Sequence, residues 1–368
     1  MNAPDFVTAL AQRGAGVQRG EMPALDSPDE WPAVLDLAIR HRVAPLVWQA
    51  LSSAGAPAVP TSMRTAFEEQ VFQSAATSML CESALQRLMA TVAAHGIDMI
   101  VLKGASVAHS VYPNPALRLY NDVDILVRAV DYPRLRGALL ANAYQAVPFE
   151  PAAPNDGSHE VLQPKPSLLE SHSVRAFYDP SGDVKIEVHF DLLQLGLVDR
   201  HLEEFWRSAR TLAGALRIPI LAPEHQFLHL AAHAQRHCFS RLGWLIDLDL
   251  MVRQQIDRLD WSKVVSLARD EGMGAVVRHV LETVNRVLGT PMPALPPPTL
   301  EERGLAICYR RLWPLGQVRR LGQHEHKRLL KFQPDTGYRR DVIYSFLLLG
   351  RRQDKLQILR RHLRRASA

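Results

Sequence analysis

Two aspartates, Asp122 and Asp124, flank a single valine in "DVDILVRA", a run that otherwise reads as a buried strand. Carboxylates beside an apolar core are costly unless something pairs with them. Side chains alternate along a strand, so both acids project from one face while Val123 and Ile125 turn to the other. A second strand-like run, "KIEVHF", puts Glu187 and His189 on one face and Ile186, Val188 and Phe190 on the opposite one. If the two runs are neighbours, three carboxylates converge. Like charges raise one another's pKa values, and a divalent cation removes the conflict. An all-oxygen set suits magnesium or manganese rather than zinc. A lone Asp-x-Asp is also a common surface pattern, and Glu187 fits a plain surface strand, so the pair needs a context.

That context precedes it. "IDMIVLKG" (97–104) reads as a short apolar strand closed by glycine, and "ASVAHSVY" as a helical turn or two broken by "PNP". Gly104 permits a tight turn and close backbone approach. The helix behind it offers free N–H groups and the positive end of a dipole, which suit a phosphate. Ser106 adds a hydroxyl donor, and Lys103 and Arg118 supply cations on either side. Both cations have plainer roles as well: solvent exposure for Lys103, and a salt bridge orienting Asp122 for Arg118. A phosphate cradle beside a carboxylate pair is what phosphoryl or nucleotidyl transfer requires.

His225, His229, His233 and His237 recur every four residues and so line one stripe of a helix. No glutamate completes an HExxH zinc pattern. The stripe reads as half-buried structural histidines, as a pocket wall with His229 and His233 at its centre, or, through its HxxxH spacing alone, as a metal site; His189, on the Glu187 face, joins the same candidate pocket.

The elements that must position these groups follow from periodicity. Residues 1–90 read as helices, the last of them long and ending at Gly96. Residues 91–220 hold the two strands, a helix over "DYPRLRGALLANAYQ", a polar and proline-rich loop over 148–167, and a hairpin turning at "PSGD". Residues 221–290 are helical again, and 291–368 comprise a proline-rich connector, "TPMPALPPP", and a basic helical tail. The expected fold is α+β and helix-rich: a small mixed β-sheet with flanking helices, set between N- and C-terminal helical regions.

Composition narrows the class. With 368 residues and 47% hydrophobic side chains the chain is built for globular cores rather than disorder. Its three cysteines are widely spaced and form no CxxC pair, which argues against a disulfide scaffold or thiolate zinc site and fits a reducing compartment. The start shows no signal-peptide pattern and no apolar run reaches spanning length, so a cytoplasmic location is expected. The net charge of +5 conceals an asymmetry: from Arg303 onward 17 Lys+Arg face 4 Asp+Glu, leaving the rest of the chain net acidic. The tail reads as a packed helix with a solvated arginine face, or as a contact for nucleic acid or an anionic membrane.

"VLKGASVAHSVYPNPALRLYNDVDILV" followed by "KIEVHFDLL" resembles the uncharacterised nucleotidyltransferase family of the polymerase-beta-like superfamily, and the likeness extends through "LAPEHQFLHLAAHAQRHCFSRLGWLIDLDLMV" and "DWSKVV", about residues 80–295. Ala105 separates Gly104 from Ser106, where the superfamily usually has the two small residues adjacent, and the interval to Asp122 is longer than usual. The resemblance implies bound magnesium (or manganese), a nucleoside triphosphate donor, with ATP expected, and an unidentified acceptor. It implies Asp122, Asp124 and Glu187 as metal-binding catalytic triad and Gly104 and Ser106 at the triphosphate, with Lys103 or Arg118 neutralising developing charge. The competing expectation is an inactive binding module of the same fold that works through its basic tail.

Overall fold

The computed structural model describes residues 1–18, 21–54, 59–147, 175–193, 200–213, 216–237 and 239–312. Four helices come first: α1 (Ala3–Gly14), α2 (Trp31–Arg40), α3 (Ala44–Ser53) and α4 (Thr61–Ala94). Then β1 (Ile100–Leu102) runs directly into α5 (Lys103–Val111), and β2 (Asp122–Leu126) is followed by α6 (Tyr132–Ala141). The hairpin predicted around "PSGD" is β4 (Arg175–Tyr178) and β5 (Lys185–His189), with the two-residue β3 (Gln145–Ala146) beside β4. A short helix α7 (Leu202–Arg207), strands β6 (Arg210–Leu212) and β7 (Ile218–Ile220), and helices α8 (Pro223–Arg236), α9 (Leu242–Gln255), α10 (Trp261–Asp270), α11 (Gly274–Leu288) and α12 (Leu300–Leu312) complete the described fold.

The strands form one mixed, seven-stranded sheet in the order β3-β4-β5-β2-β1-β7-β6. The fold is thus α+β and helix-rich, and its sheet is larger than the sequence suggested. β6, β7 and β3 are two or three residues long, too short for an alternating pattern, and Pro219 interrupts β7. The loop predicted over 148–167 and most of the basic tail lie outside the described residues.

Alternation along the strands divides the core in two. Val123 and Ile125 of β2, Ile186 and Val188 of β5 and Val101 of β1 enter one hydrophobic cluster with Leu85 and Leu88 of α4 and Leu135 and Leu139 of α6. Residues on the opposite sheet face, Ile100, Leu102 and Leu126, join a second cluster built from α8, α9 and α11 together with α1, α2 and α3. The N-terminal and C-terminal helices therefore share one core, pinned by a hydrogen bond from Gln12 Nε2 to the Leu288 carbonyl (2.6 Å). The carboxylate-bearing face of β2 and β5 looks toward this second, helical side. Among the described residues no helix is long and apolar enough to cross a membrane.

Candidate active site

β2 and β5 are parallel neighbours, with Asp122 opposite Lys185, Asp124 opposite Glu187 and Leu126 opposite His189. Alternation then sets Asp122, Asp124, Glu187 and His189 on one face. They line a pocket of about 410 Å³ that also reaches Lys103, Gly104, Arg118 and His233. Asp124 is 3% exposed, and its Oδ1 accepts hydrogen bonds from both Lys103 Nζ and His189 Nε2, each at 2.8 Å. Glu187 Oε1 accepts from Lys185 Nζ at 2.7 Å. Asp124, Glu187 and His189 bring their ligand atoms within 4.8 Å of one another, a spacing compatible with one metal ion. Asp122 lines the same pocket but stands outside that group and forms no ion pair among the described residues.

The electrostatics differ sharply between the two aspartates. Burial raises the Asp122 carboxyl, and the charges of Asp124 and Glu187 push it further up. Burial acts the same way on Asp124, but the Lys103 ammonium and the His189 hydrogen bond outweigh it and hold this carboxyl well below its usual range. His189 is itself lowered, by burial and then by Lys103, so it is a neutral donor to Asp124. A pair of unlike carboxylates, one locked in the ionised form and one under like-charge repulsion, is a state that a divalent cation would relieve.

The β1–α5 elbow differs from the expected strand–glycine–helix order, because the helix opens at Lys103. That residue has φ 40°, a left-handed backbone, and its side chain turns onto Asp124. Gly104 packs closely: a Cβ there would lie 3.1 Å from the Tyr120 ring. Ser106 is not brought to the pocket; it is buried and accepts a hydrogen bond from Gln226 Nε2 at 3.0 Å. Arg118 faces the pocket but is committed to Asp247 of α9 rather than to Asp122. Its Nε and Nη2 donate to the two carboxylate oxygens at 3.2 and 2.8 Å, and the Tyr112 hydroxyl donates to the same group at 2.8 Å.

The histidine stripe divides by depth. His225 is buried beside Ser208, whose Oγ lies 2.9 Å from its Nδ1. His229 is buried, its Nδ1 donates to the Leu192 carbonyl at 2.7 Å, and burial lowers its pKa to about 3. His229 does not reach the pocket wall. His233 does, and burial together with Lys103 keeps it neutral; its ring lies 4.9 Å from Trp244 and 4.6 Å from His237. The sequence did not single out Lys185, Asp247, Trp244, Arg42 or Arg241. Asp247 alone left a usable signal, an acid inside the apolar helix "LIDLDLMV".

Residues 27–289 match the family model described as uncharacterised nucleotidyltransferase, and the chain belongs to that family. No curated protein and no solved structure matches it.

Proposed function

We propose that this member of the uncharacterised nucleotidyltransferase family transfers a nucleoside monophosphate from a nucleoside triphosphate, ATP by preference, to an acceptor hydroxyl. The observation that carries the reading is the parallel register that sets Asp124 opposite Glu187 on the pocket face, with Asp122 two residues upstream on the same face. Asp122, Asp124 and Glu187 would hold magnesium or manganese, with His189 adjoining them. A metal bound there would neutralise phosphate charge and lower the pKa of the attacking hydroxyl.

The chain's own groups prepare that chemistry. Lys103 and His189 fix one oxygen of Asp124, so its carboxylate is ionised and oriented before any ligand arrives. Lys185 holds Glu187 by one oxygen, at Oε1. Gly104 lets the elbow pack against Tyr120 at the pocket wall, and Lys103 would offer positive charge beside the reacting phosphate. In transfer, the acceptor hydroxyl gives up its proton to solvent, its oxygen bonds to the α-phosphorus, the bond from that phosphorus to the bridging oxygen of the β-phosphate breaks, and pyrophosphate leaves with the electron pair.

The test is incubation with α-labelled nucleotides, Mg²⁺ and extract as a source of acceptors. Wild type is expected to transfer label and release pyrophosphate, and Asp122→Asn and Glu187→Gln to fall at least about 100-fold, as loss of a charge-stabilising group does. Transfer at wild-type rate in both variants would remove the assignment.

A further inference from the structure

Two of the pocket's cationic side chains are already paired: Lys103 with Asp124 and Arg118 with Asp247. Two are not. Arg42 and Arg241 line the pocket and form no ion pair among the described residues. The Arg42 guanidinium donates through Nη1 to the neutral Asn121 Oδ1, at 2.9 Å, its one side-chain hydrogen bond among the described residues, and the Arg241 guanidinium lies over the Trp244 ring at 4.9 Å. Arg241 is lowered to about 10, by burial and then by the Arg42 charge. Half-buried guanidinium groups left without an anion are costly to keep.

The fold holds them there. Arg42 follows α2 in a left-handed backbone conformation, φ 56°, and Arg241 immediately precedes α9. The segment carrying Arg42 is latched to the start of α9: the backbone N–H of Gly243 donates to the His41 carbonyl and that of Leu242 to His41 Nδ1, each at 3.1 Å. A Cβ at Gly243 would sit 3.2 Å from that carbonyl, so glycine lets the two segments close up. Both arginines act electrostatically on Asp122, so they belong to the Asp122 end of the pocket rather than to the Glu187 end.

We infer that Arg42 and Arg241 together form the seat of a polyphosphate anion, the β- and γ-phosphates of the donor nucleotide. This rests on the nucleotidyl-transfer reading for the donor's identity, but the anion seat itself does not. Guanidinium forks match phosphate oxygens in pairs, and two arginines that feel Asp122 but form no ion pair among the described residues suit an anion carrying more than a single carboxylate's charge. The seat replaces Ser106 and Arg118, which the sequence offered for that duty and which the structure commits elsewhere.

Calorimetry of the full chain with tripolyphosphate, in the presence of chelator, tests the anion seat without any metal. ATP, ADP and AMP then form a ladder that separates a donor tail from a phosphate carried by the acceptor. Wild type is expected to bind tripolyphosphate and to prefer ATP over AMP. Arg42→Gln and Arg241→Gln should each weaken tripolyphosphate at least about tenfold and flatten the ladder, as loss of a charged hydrogen-bond donor does. Arg40→Ala, a surface charge paired with Asp36, should change neither. Thermal melts of each variant show whether it folds, and two variants on separate segments guard against one that does not. Unaltered tripolyphosphate affinity in both folded variants overturns the seat even where transfer activity is found. Lost tripolyphosphate binding with an unaltered ladder overturns the donor-tail assignment. Lost binding with a flattened ladder sustains it, even for a protein that shows no transfer.

Discussion

At the scale of single residues, Asp122 and Asp124 are chemically different acids although they share a strand and a face. Asp124 is the structural anchor, since it is the counter-ion of Lys103, whose side chain is only 12% exposed. Asp124→Asn is therefore expected to leave a buried ammonium uncompensated and to cost about 3–5 kcal/mol of stability. Asp122→Asn removes a repelled charge and is expected to leave stability unchanged or slightly raised. Urea unfolding midpoints of the two variants check this; equal losses would contradict it. The acids were legible in the sequence because period-two alternation says which side chains share a face. Their partners were not. Lys103 turns onto Asp124 through a left-handed backbone, and Asp247, which claims Arg118, comes from a helix 129 residues further on. No local pattern encodes a pairing across that separation.

At the scale of elements, the long helix α4, the β1 and β2 strands and the β4–β5 hairpin could be read from periodicity and turn residues. The remaining strands are set by pairing: β7 is held by its parallel neighbour β1, and its own three residues, one of them proline, carry no strand signal. The N-terminal helices looked remote from the chemistry, yet their connection from α2 to α3 supplies Arg42 to the pocket. Their packing depends on close contact at Gly14, where a Cβ would fall 1.9 Å from the Leu46 carbonyl oxygen. Gly14→Ala is expected to force α1 away from α3 and to destabilise the fold by about 1–3 kcal/mol, as overpacking does. A melting temperature equal to wild type would show that the two helices can part freely.

At the scale of the whole molecule, the helices before and after the sheet close over one core, and buried neutral histidines are part of its cost. Burial holds His229 neutral down to about 3 in the folded chain, whereas an unfolded histidine titrates near 6.5. Above about 6.5 neither state takes the proton and stability is at its full value. Below it the unfolded chain gains the proton first, so stability falls with pH toward the folded value. His233 and His189 are lowered by burial too and act in the same direction. Inside that window His229 contributes a slope of up to about 1.4 kcal/mol per pH unit. Melting temperature should drop between pH 7 and pH 5, and less steeply in His229→Gln; parallel slopes would contradict the assignment. The charge asymmetry of the chain was visible in composition alone; the basic segment beyond residue 312 lies outside the described residues.

On the proposed function, acids on two adjacent parallel strands share a divalent ion at a nucleotide pocket. Manganese titrated into the purified chain with a non-hydrolysable triphosphate, followed by electron paramagnetic resonance, tests it most directly. Saturable binding that weakens at least about tenfold in Asp122→Asn and in Glu187→Gln is the predicted result. Manganese that stays free in wild type, or binds both variants as tightly, would contradict it.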